Sequence, residues 1–235
     1  MTFKELVVAY FQYPAIIAYL VLAVVSFGIA IWQPATLVQT TTSIVAAILF
    51  YPLAWYAIHR WILHGRWMFK MKPFAAVWKR IHYDHHQDPN HLQVLFGALH
   101  TTLPTIILLL TPIGWAIGGL GAAAAAVGAG LLITCFYEFC HCIQHLKYKP
   151  KNKWLGKMKA RHMAHHFHDE SGNFGITSFL WDKAFGTFYE RPDRLEKSET
   201  VFNLGYTPEQ AKQYPWVADL SGGVATGHPS QRAQG

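Results

Sequence analysis

Ten histidines with the spacing of metal ligands dominate the chemistry that this sequence could do. They fall into four clusters, and each cluster lies just before or just after a long apolar stretch. Imidazole binds iron, copper, zinc and nickel well, and ten imidazoles are too many for one ion but suit two. The pattern therefore predicts a two-metal site built from histidine. The predicted ligands are His59, His64, His82, His85, His86, His141, His145, His162, His165 and His166.

The spacing within the clusters indicates how helices would present these rings. The sequence His-x-x-His-His occurs twice, beginning at His82 and at His162. Residues i, i+3 and i+4 are neighbours on a helix surface, so we expect each triplet to direct three imidazoles at one point. His141 and His145 are four residues apart and share a helical face for the same reason.

The first pair, His59 and His64, has a different spacing. An interval of five residues does not place two side chains on one face of an α-helix. The pair therefore predicts that a helix ends between them, and Gly65 suits such a C-terminus.

Four further polar residues lie beside the clusters and are candidates for orienting the ligands. Metal-bound imidazoles usually bond a carboxylate or carbonyl through their second nitrogen. Each carboxylate has an equally plausible structural role as a helix cap or a surface charge. The candidates are Glu138, His168, Asp169 and Asp182.

The identity of the metal follows from the donor atoms. Few carboxylates accompany the imidazoles, which makes magnesium and calcium poor candidates. A zinc site needs only three or four ligands. A pair of redox-active iron ions fits ten imidazoles best, although isolated protein can carry zinc because imidazole binds it readily.

The elements that position these histidines are expected to be membrane helices. Of the 235 residues, 52% are apolar and only 14% are charged, and no charged residue lies between Glu5 and Arg60 or between Asp88 and Glu138. A helix of about 20 apolar residues spans a bilayer. The sequence predicts an all-α integral membrane protein in which four transmembrane helices carry a cytosolic helical cap that holds the dimetal site. The predicted spans are about 14–32, 43–64, 94–111 and 115–139.

The boundaries and the orientation follow from composition. We expect one membrane-embedded domain over 1–218 and a disordered tail over 219–235, which is rich in small and polar residues. Pro112 and Gly114 predict the turn between the third and fourth spans. The two inter-span turns contain no Lys or Arg, so the positive-inside rule places both termini and all four histidine clusters in the cytoplasm. The net charge of +7 indicates anionic lipid headgroups as neighbours and no nucleic-acid partner.

In order and spacing, these motifs resemble those of the fatty acid hydroxylase and sterol desaturase superfamily of integral-membrane di-iron enzymes. The likeness includes the run from Phe174 to Thr187, which is similar to the C-terminal signature of that superfamily. The gap of four residues between His59 and His64 is closest to the fatty acid 2-hydroxylases.

The resemblance implies oxygen-dependent hydroxylation of an unactivated C–H bond in a membrane lipid, most simply the acyl chain of a fatty acid or sphingolipid. It implies all ten histidines as ligands of two iron ions, O2 as co-substrate, and a cytochrome b5-like or ferredoxin-like electron donor. The alternatives are a sterol desaturase or sterol oxidase and a carotenoid ring hydroxylase on the same site. A non-enzymatic membrane metal-binding protein is a remote alternative, because a carrier would line a path across the membrane with ligands and these spans contain almost none.

Overall fold

The structure is a computed structural model that describes residues 1–33 and 35–224. Its described residues form helices and connecting loops and contain no strand, which confirms the all-α prediction. The helices are α1 (Phe3–Phe11), α2 (Pro14–Trp32), α3 (Leu37–Ala57), α4 (Lys72–Trp78), α5 (Asp84–Gln87), α6 (Leu92–Leu95), α7 (Leu99–His145), α8 (Lys153–Phe167), α9 (Leu180–Ala184), α10 (Pro208–Gln213) and α11 (Trp216–Ser221), with π-helices at Ile58–Leu63 and Lys79–Tyr83 and a 3-10 turn at Pro192–Arg194.

The described chain divides into two compact units. The histidine unit comprises Trp55–Phe96 and residues 143–224, together with Met1. The span unit comprises Thr2–Ala54 and Gly97–Cys142. Of the 20 Lys and Arg residues, only Lys4 belongs to the span unit, so the two units differ sharply in charge.

Among the described residues, three helical stretches are long and apolar enough to cross a membrane, which indicates a membrane protein. They are Pro14–Trp32, Leu37–Leu63 and Leu92–His145. The first coincides with a predicted span. The second begins six residues before the predicted start at residue 43, because Thr36 and Gln39 exchange side-chain and backbone hydrogen bonds that cap the helix.

The third stretch replaces the predicted third and fourth spans and reverses direction within itself. The turn predicted at Pro112 and Gly114 is wrong, because both residues lie inside helix α7. The non-helical residues are Gly118 and Gly119, and Gly119 has a φ of 68°. A positive φ is cheap only for glycine, whereas proline within a helix costs a hydrogen bond and a bend without reversing the chain.

Close contacts show that the two arms of α7, 99–117 and 120–145, pack back on each other. A Cβ added to Gly114 would lie 2.5 Å from the Cα of Ala123. Further from the turn, a Cβ on Gly130 would meet Leu110 and Ile106. Small residues in the second arm therefore permit a close helix pair.

The core of the histidine unit is aromatic and supports the second π-helix. The Phe69 ring lies 5.2 Å from those of Trp78 and Tyr206, and all three are almost fully buried. The Trp78 indole also donates a 2.7 Å hydrogen bond to the Leu63 carbonyl. This bond ties the end of the first π-helix to the start of the second.

Lys159 of α8 fixes the end of α7. Its ammonium group donates to the carbonyls of Ile143, Leu146 and Tyr148 at 2.5–3.0 Å. The last carbonyls of a helix lack partners within the helix, so one cation satisfies several of them. Partial burial lowers the pKa of Lys159.

The C-terminal prediction falls mainly outside the described residues. The predicted tail, 219–235, begins within α11, which ends at Ser221. Residues 225–235, including His228, lie outside the part of the chain that the structure describes.

Candidate metal centre

The first π-helix presents His59 and His64 together. In this winding the His64 N–H bonds the His59 carbonyl, five residues earlier, at 3.0 Å. The two ring centroids are 5.0 Å apart. A helix does end between the two residues, at Leu63, but the local π-winding is what brings the two rings together. Single π-turns inside α-helices are frequent at functional sites.

The second histidine cluster follows from another π-helix. His82 lies within the π-helix Lys79–Tyr83, and His85 and His86 lie on α5, which continues it. All three are buried. The centroids of His82 and His86 are 4.7 Å apart, whereas those of His82 and His85 are 6.2 Å apart.

The remaining histidines of this unit come from α7 and α8. His145 is the last residue of α7, and α8 carries His162, His165 and His166 on its second half. Asn152 caps the start of α8 through its side-chain oxygen, at 2.8 Å from the Trp154 N–H and 3.2 Å from that of Leu155. The three α8 histidines are fully buried.

Within the histidine unit, nine imidazoles converge on two adjoining places. In each group the candidate ligand nitrogens lie within 4.8 Å of one another. A third set, His86 with His165 and His166, joins the two. The first group contains His59, His64, His82 and His165, and the second contains His85, His145, His162 and His166.

The prediction that each triplet serves one point is wrong. His82 belongs to the first group and His85 to the second, and in the same way His165 belongs to the first group and His162 to the second. Residues i and i+3 of a helix differ by about 60° around its axis. Two points that lie side by side can therefore each take a ring from one helix.

The nitrogen positions suit metal ions. The Nε2 atoms of His64 and His82 are 2.8 Å apart, and those of His145 and His162 are also 2.8 Å apart. Two imidazole nitrogens at about 2.1 Å from one ion and at right angles to each other are about 3 Å apart. His166 is fully buried and neither ring nitrogen makes a hydrogen bond to the described residues, a costly state unless an ion binds there.

Backbone carbonyls hold three of the rings by their second nitrogen. The Nδ1 atom of His59 lies 2.6 Å from the Phe174 oxygen, that of His165 lies 2.7 Å from the Gly172 oxygen, and that of His86 lies 3.0 Å from the Val201 oxygen. Because a carbonyl can only accept, each Nδ1 carries the proton. Each Nε2 is then left with its lone pair for an ion.

Asn173 is a residue of this site that the sequence reasoning missed. It is fully buried, has a φ of 55°, and lies between the two residues whose carbonyls hold His165 and His59. Its side chain bonds both backbone groups of Tyr189, at 2.9 and 3.1 Å. Asparagine tolerates this left-handed conformation better than most residues. That property is the feature of the sequence that could have identified Asn173 as part of the site.

Asp182 acts one step further from the ligands than predicted. Its buried carboxylate accepts hydrogen bonds from the N–H groups of Phe174 and Gly175 at 2.8 and 2.9 Å. It thus fixes the loop whose Phe174 carbonyl holds His59, rather than bonding a ligand ring itself. Burial raises the pKa of Asp182, and the hydrogen bonds oppose that rise.

Two other predicted orienting residues have structural roles. The Nε2 atom of His168 lies 3.0 Å from the Leu195 carbonyl. Asp169 accepts from the N–H and hydroxyl groups of Ser171 and so closes a turn.

Glu138 and His141 belong to the span unit. The Glu138 carboxylate accepts the Gly97 N–H at 3.0 Å and lies 3.8 Å from the Nδ1 atom of His141. The orienting role of Glu138 and the assignment of His141 as a ligand both stay predictions.

Burial also sets the charge of the cluster. Loss of hydration and the neighbouring imidazoles hold the pKa values of His64, His82 and His166 well below the ordinary value of 6.5. The rings are therefore neutral near pH 7, and neutral imidazole is the form that binds metal. The candidate groups contain histidine and no carboxylate among the described residues, which disfavours magnesium and calcium.

A family model described as fatty acid hydroxylase matches residues 44–187. The chain belongs to the fatty acid hydroxylase family. The match covers more than half of the chain and includes all ten predicted ligands, which confirms the resemblance seen in the motifs.

Proteins that are named as lipid hydroxylases are similar to part of the chain. Dihydroceramide fatty acyl 2-hydroxylase FAH1 of Arabidopsis thaliana is 31% identical over 147 residues, which cover 61% of this chain and 59% of that protein. Ceramide very long chain fatty acid hydroxylase SCS7 of Saccharomyces cerevisiae is 28% identical over 57% of this chain and 34% of its own length. Fatty acid 2-hydroxylase of Mus musculus is 28% identical, over 61% and 38%. The chain thus spans between about a third and three fifths of these relatives.

A solved structure shares the fold. It is described as full length scs7p with only the hydroxylase domain visible, and it is similar with a TM-score of 0.63 and 27% sequence identity. The likeness covers 78% of this chain and 68% of that one.

Proposed function

We propose that this protein hydroxylates the acyl chain of a membrane lipid at a centre of two iron ions. The observation that carries the proposal is the convergence of nine imidazoles on two adjoining groups within one unit. We propose the tenth ligand to be His141, which lies one helical turn before His145 on α7. The resemblance to the di-iron superfamily supports both iron and the full ligand set.

The reaction is a monooxygenation. A bound iron pair supplies the means to activate O2 with two electrons. The balance is one C–H group, O2, two electrons and two protons giving one C–OH group and one water molecule. The described residues contribute the fixed scaffold: imidazoles present Nε2 lone pairs, carbonyls hold the opposite nitrogens, and burial keeps water away.

The substrate is proposed from the relatives and from the membrane setting. The names of these relatives specify 2-hydroxylation of fatty acids and of fatty acyl groups in dihydroceramide, and hydroxylation of very long chain fatty acids in ceramide. We propose carbon 2 of a fatty acyl or ceramide-type acyl chain. An enzyme whose membrane-spanning helices alternate with its metal ligands along the chain can take such an acyl chain from the bilayer.

The topology is also a proposal. The two arms of α7 are antiparallel and each is long enough to span the hydrocarbon core, since about 20 helical residues suffice. With α2 and α3 they give four crossings of a single functional domain over 1–218. The positive-inside rule then places both termini and the histidine unit, which carries every Lys and Arg of the described residues except Lys4, in the cytoplasm.

The electron donor is proposed to be a cytochrome b5-like or ferredoxin-like protein. Exposed lysines precede and follow the start of α8, including Lys149, Lys151 and Lys157. An acidic carrier would be steered to such a surface, with an association rate that falls as salt rises.

The test is a lipid profile of cells that express the full chain with iron available. The wild-type protein should produce acyl lipids heavier by about 16 Da, one oxygen atom. His85→Ala and His165→Ala, one from each group, should abolish the product and lower bound metal, whereas His91→Ala, at an exposed histidine, should change neither. Full hydroxylation by the His85 or His165 variant would refute the assignment of that residue, and a product lighter by two hydrogens would indicate desaturation instead.

A further inference from the structure

A chain of hydrogen bonds connects the surface of the histidine unit to the His59 ring. The Arg60 guanidinium donates to the Tyr56 hydroxyl at 2.9 Å. The Tyr56 and Thr187 hydroxyls are 3.0 Å apart, and the Thr187 hydroxyl donates to the Asp182 carboxylate at 2.9 Å.

The direction of every bond in this chain is determined. The guanidinium can only donate, and the two backbone N–H groups that reach Asp182 make both of its oxygens acceptors. Because the Thr187 hydroxyl donates its single proton to Asp182, the Tyr56 hydroxyl must donate to Thr187. The chain therefore runs from a cation to a carboxylate with all dipoles aligned, an arrangement in which neighbouring bonds strengthen one another.

Packing fixes the Tyr56 ring in this position. Tyr56 is 3% exposed. Its ring stacks on Phe185 at 5.4 Å with an interplanar angle of 11°, and it meets the edge of Phe174 at 6.0 Å. Phe185 and Phe174 belong to the segment that carries Asp182 and the carbonyl partner of His59, so Tyr56 contacts that segment through both its ring and its hydroxyl.

We propose that Tyr56 is a positioning residue for the His59 ligand and acts through Thr187 and Asp182. Tyr56 lies on α3 just before the first π-helix, and His59 lies inside that π-helix. The hydrogen-bond chain joins Tyr56, two residues before the π-helix, to the loop that accepts the His59 Nδ1 proton. It thereby fixes the helical segment that carries His59 relative to the loop that orients the His59 ring. The inference rests on the proposed function, because it takes His59 to be a metal ligand.

The span unit supplies a matched control. Tyr51 also donates to a threonine hydroxyl, that of Thr134, at 3.0 Å, and it is 4% exposed. Tyr51→Phe and Tyr56→Phe therefore each remove a tyrosine–threonine hydrogen bond from a similarly buried ring, and Tyr56→Phe also removes the bond from Arg60. Of the two tyrosine–threonine bonds described, that of Tyr56 continues to the loop that holds His59.

The experiment measures cobalt(II) binding to the purified full chain in detergent, after removal of bound metal, with a competing chelator. We expect two ions in the wild-type protein. Tyr56→Phe and Thr187→Val should each weaken one of them by about 3- to 10-fold, at or below the low end of the range for groups that orient ligands. The visible absorption bands of that ion should shift while the other ion is unchanged.

Two further variants test whether the bonds act as a unit. Thr187→Ser keeps the hydroxyl and should restore wild-type affinity. Tyr56→Phe combined with Thr187→Val should be no worse than the Thr187→Val variant alone. Tyr51→Phe should leave both affinities and the absorption bands unchanged, even if its melting temperature falls as far as that of Tyr56→Phe.

The outcomes separate this inference from the proposed function. Two cobalt ions in the wild-type protein, with Tyr56→Phe identical to Tyr51→Phe in affinity and absorption, would overturn the positioning role alone. A wild-type chain that binds no cobalt would overturn the metal centre and this inference with it.

Discussion

Asn173 determines whether the loop that orients two ligands keeps its shape. Replacement by glycine preserves the left-handed backbone but removes two hydrogen bonds to Tyr189, a loss of about 2 kcal/mol at roughly 1 kcal/mol each. Replacement by alanine removes the same bonds and adds about 1 kcal/mol, because a Cβ is unfavourable at positive φ. The loop should therefore open more readily in Asn173→Gly, and more readily still in Asn173→Ala.

Hydrogen exchange read by mass spectrometry on the full chain measures this opening. The reporters are the Phe174 and Gly175 amides, which donate to Asp182. A tenfold change corresponds to about 1.4 kcal/mol, so exchange should be about 30-fold faster in Asn173→Gly and about 100-fold faster in Asn173→Ala. Ser171→Ala removes one exposed side-chain bond in the same loop and should change exchange less than about 2-fold.

Two results would refute this reasoning. If both Asn173 variants exchange like Ser171→Ala, the asparagine side chain does not hold the loop. If Asn173→Ala exchanges no faster than Asn173→Gly, the left-handed backbone at this position costs nothing.

Three further predictions concern stability. Because burial lowers the pKa of three cluster histidines below the ordinary 6.5, the unfolded chain binds more protons than the folded one below about pH 6.5. Metal-free protein should therefore be fully stabilised above that pH and melt progressively lower beneath it, and a melting temperature that is flat or rises on acidification would contradict this. Lys159→Met should lower the melting temperature by about 5 °C, because it removes charged hydrogen bonds that contribute about 2 kcal/mol to the free energy of unfolding. The control Lys157→Met, at an exposed lysine, should produce no measurable change. Equal effects of the two substitutions would exclude the capping role of Lys159. Gly114→Ala should lower the free energy of unfolding by about 1–3 kcal/mol, because the added methyl group overpacks the contact between the two arms of α7. The control Gly28→Ala should not lower it, because there is open space around Gly28. A Gly114→Ala protein as stable as the wild type would argue against the close packing of the two arms.

The positions of the histidines were predictable, but the way they divide was not. Helical spacing correctly indicated that imidazoles from α5 and α8 would converge. It could not show that His82 and His85 serve different groups, because that depends on two loci lying side by side in space. The π-helices could not be predicted either. The five-residue interval between His59 and His64 indicates a break in an α-helix, and no residue type is specific to the wider π-helical winding.

The orienting groups were the least accessible to sequence reasoning. The partners of His59, His86 and His165 are backbone carbonyls, which every residue possesses. Charged carboxylates are the obvious candidates for orienting groups in a sequence, yet Asp182 acts on His59 through the backbone of Phe174. Among the spans, the sequence predicts the turn at Pro112 and Gly114, whereas the reversal uses the positive φ that Gly119 adopts at little cost.

The proposed function requires one chain to hold two metal ions in its histidine cluster. Anomalous X-ray scattering at the iron absorption edge, from crystals of the full chain produced with iron, would locate them. We predict two peaks, one among His59, His64, His82 and His165 and the other among His85, His145, His162 and His166. A single peak, or peaks outside these groups in iron-replete protein, would rule out a two-iron centre at these histidines.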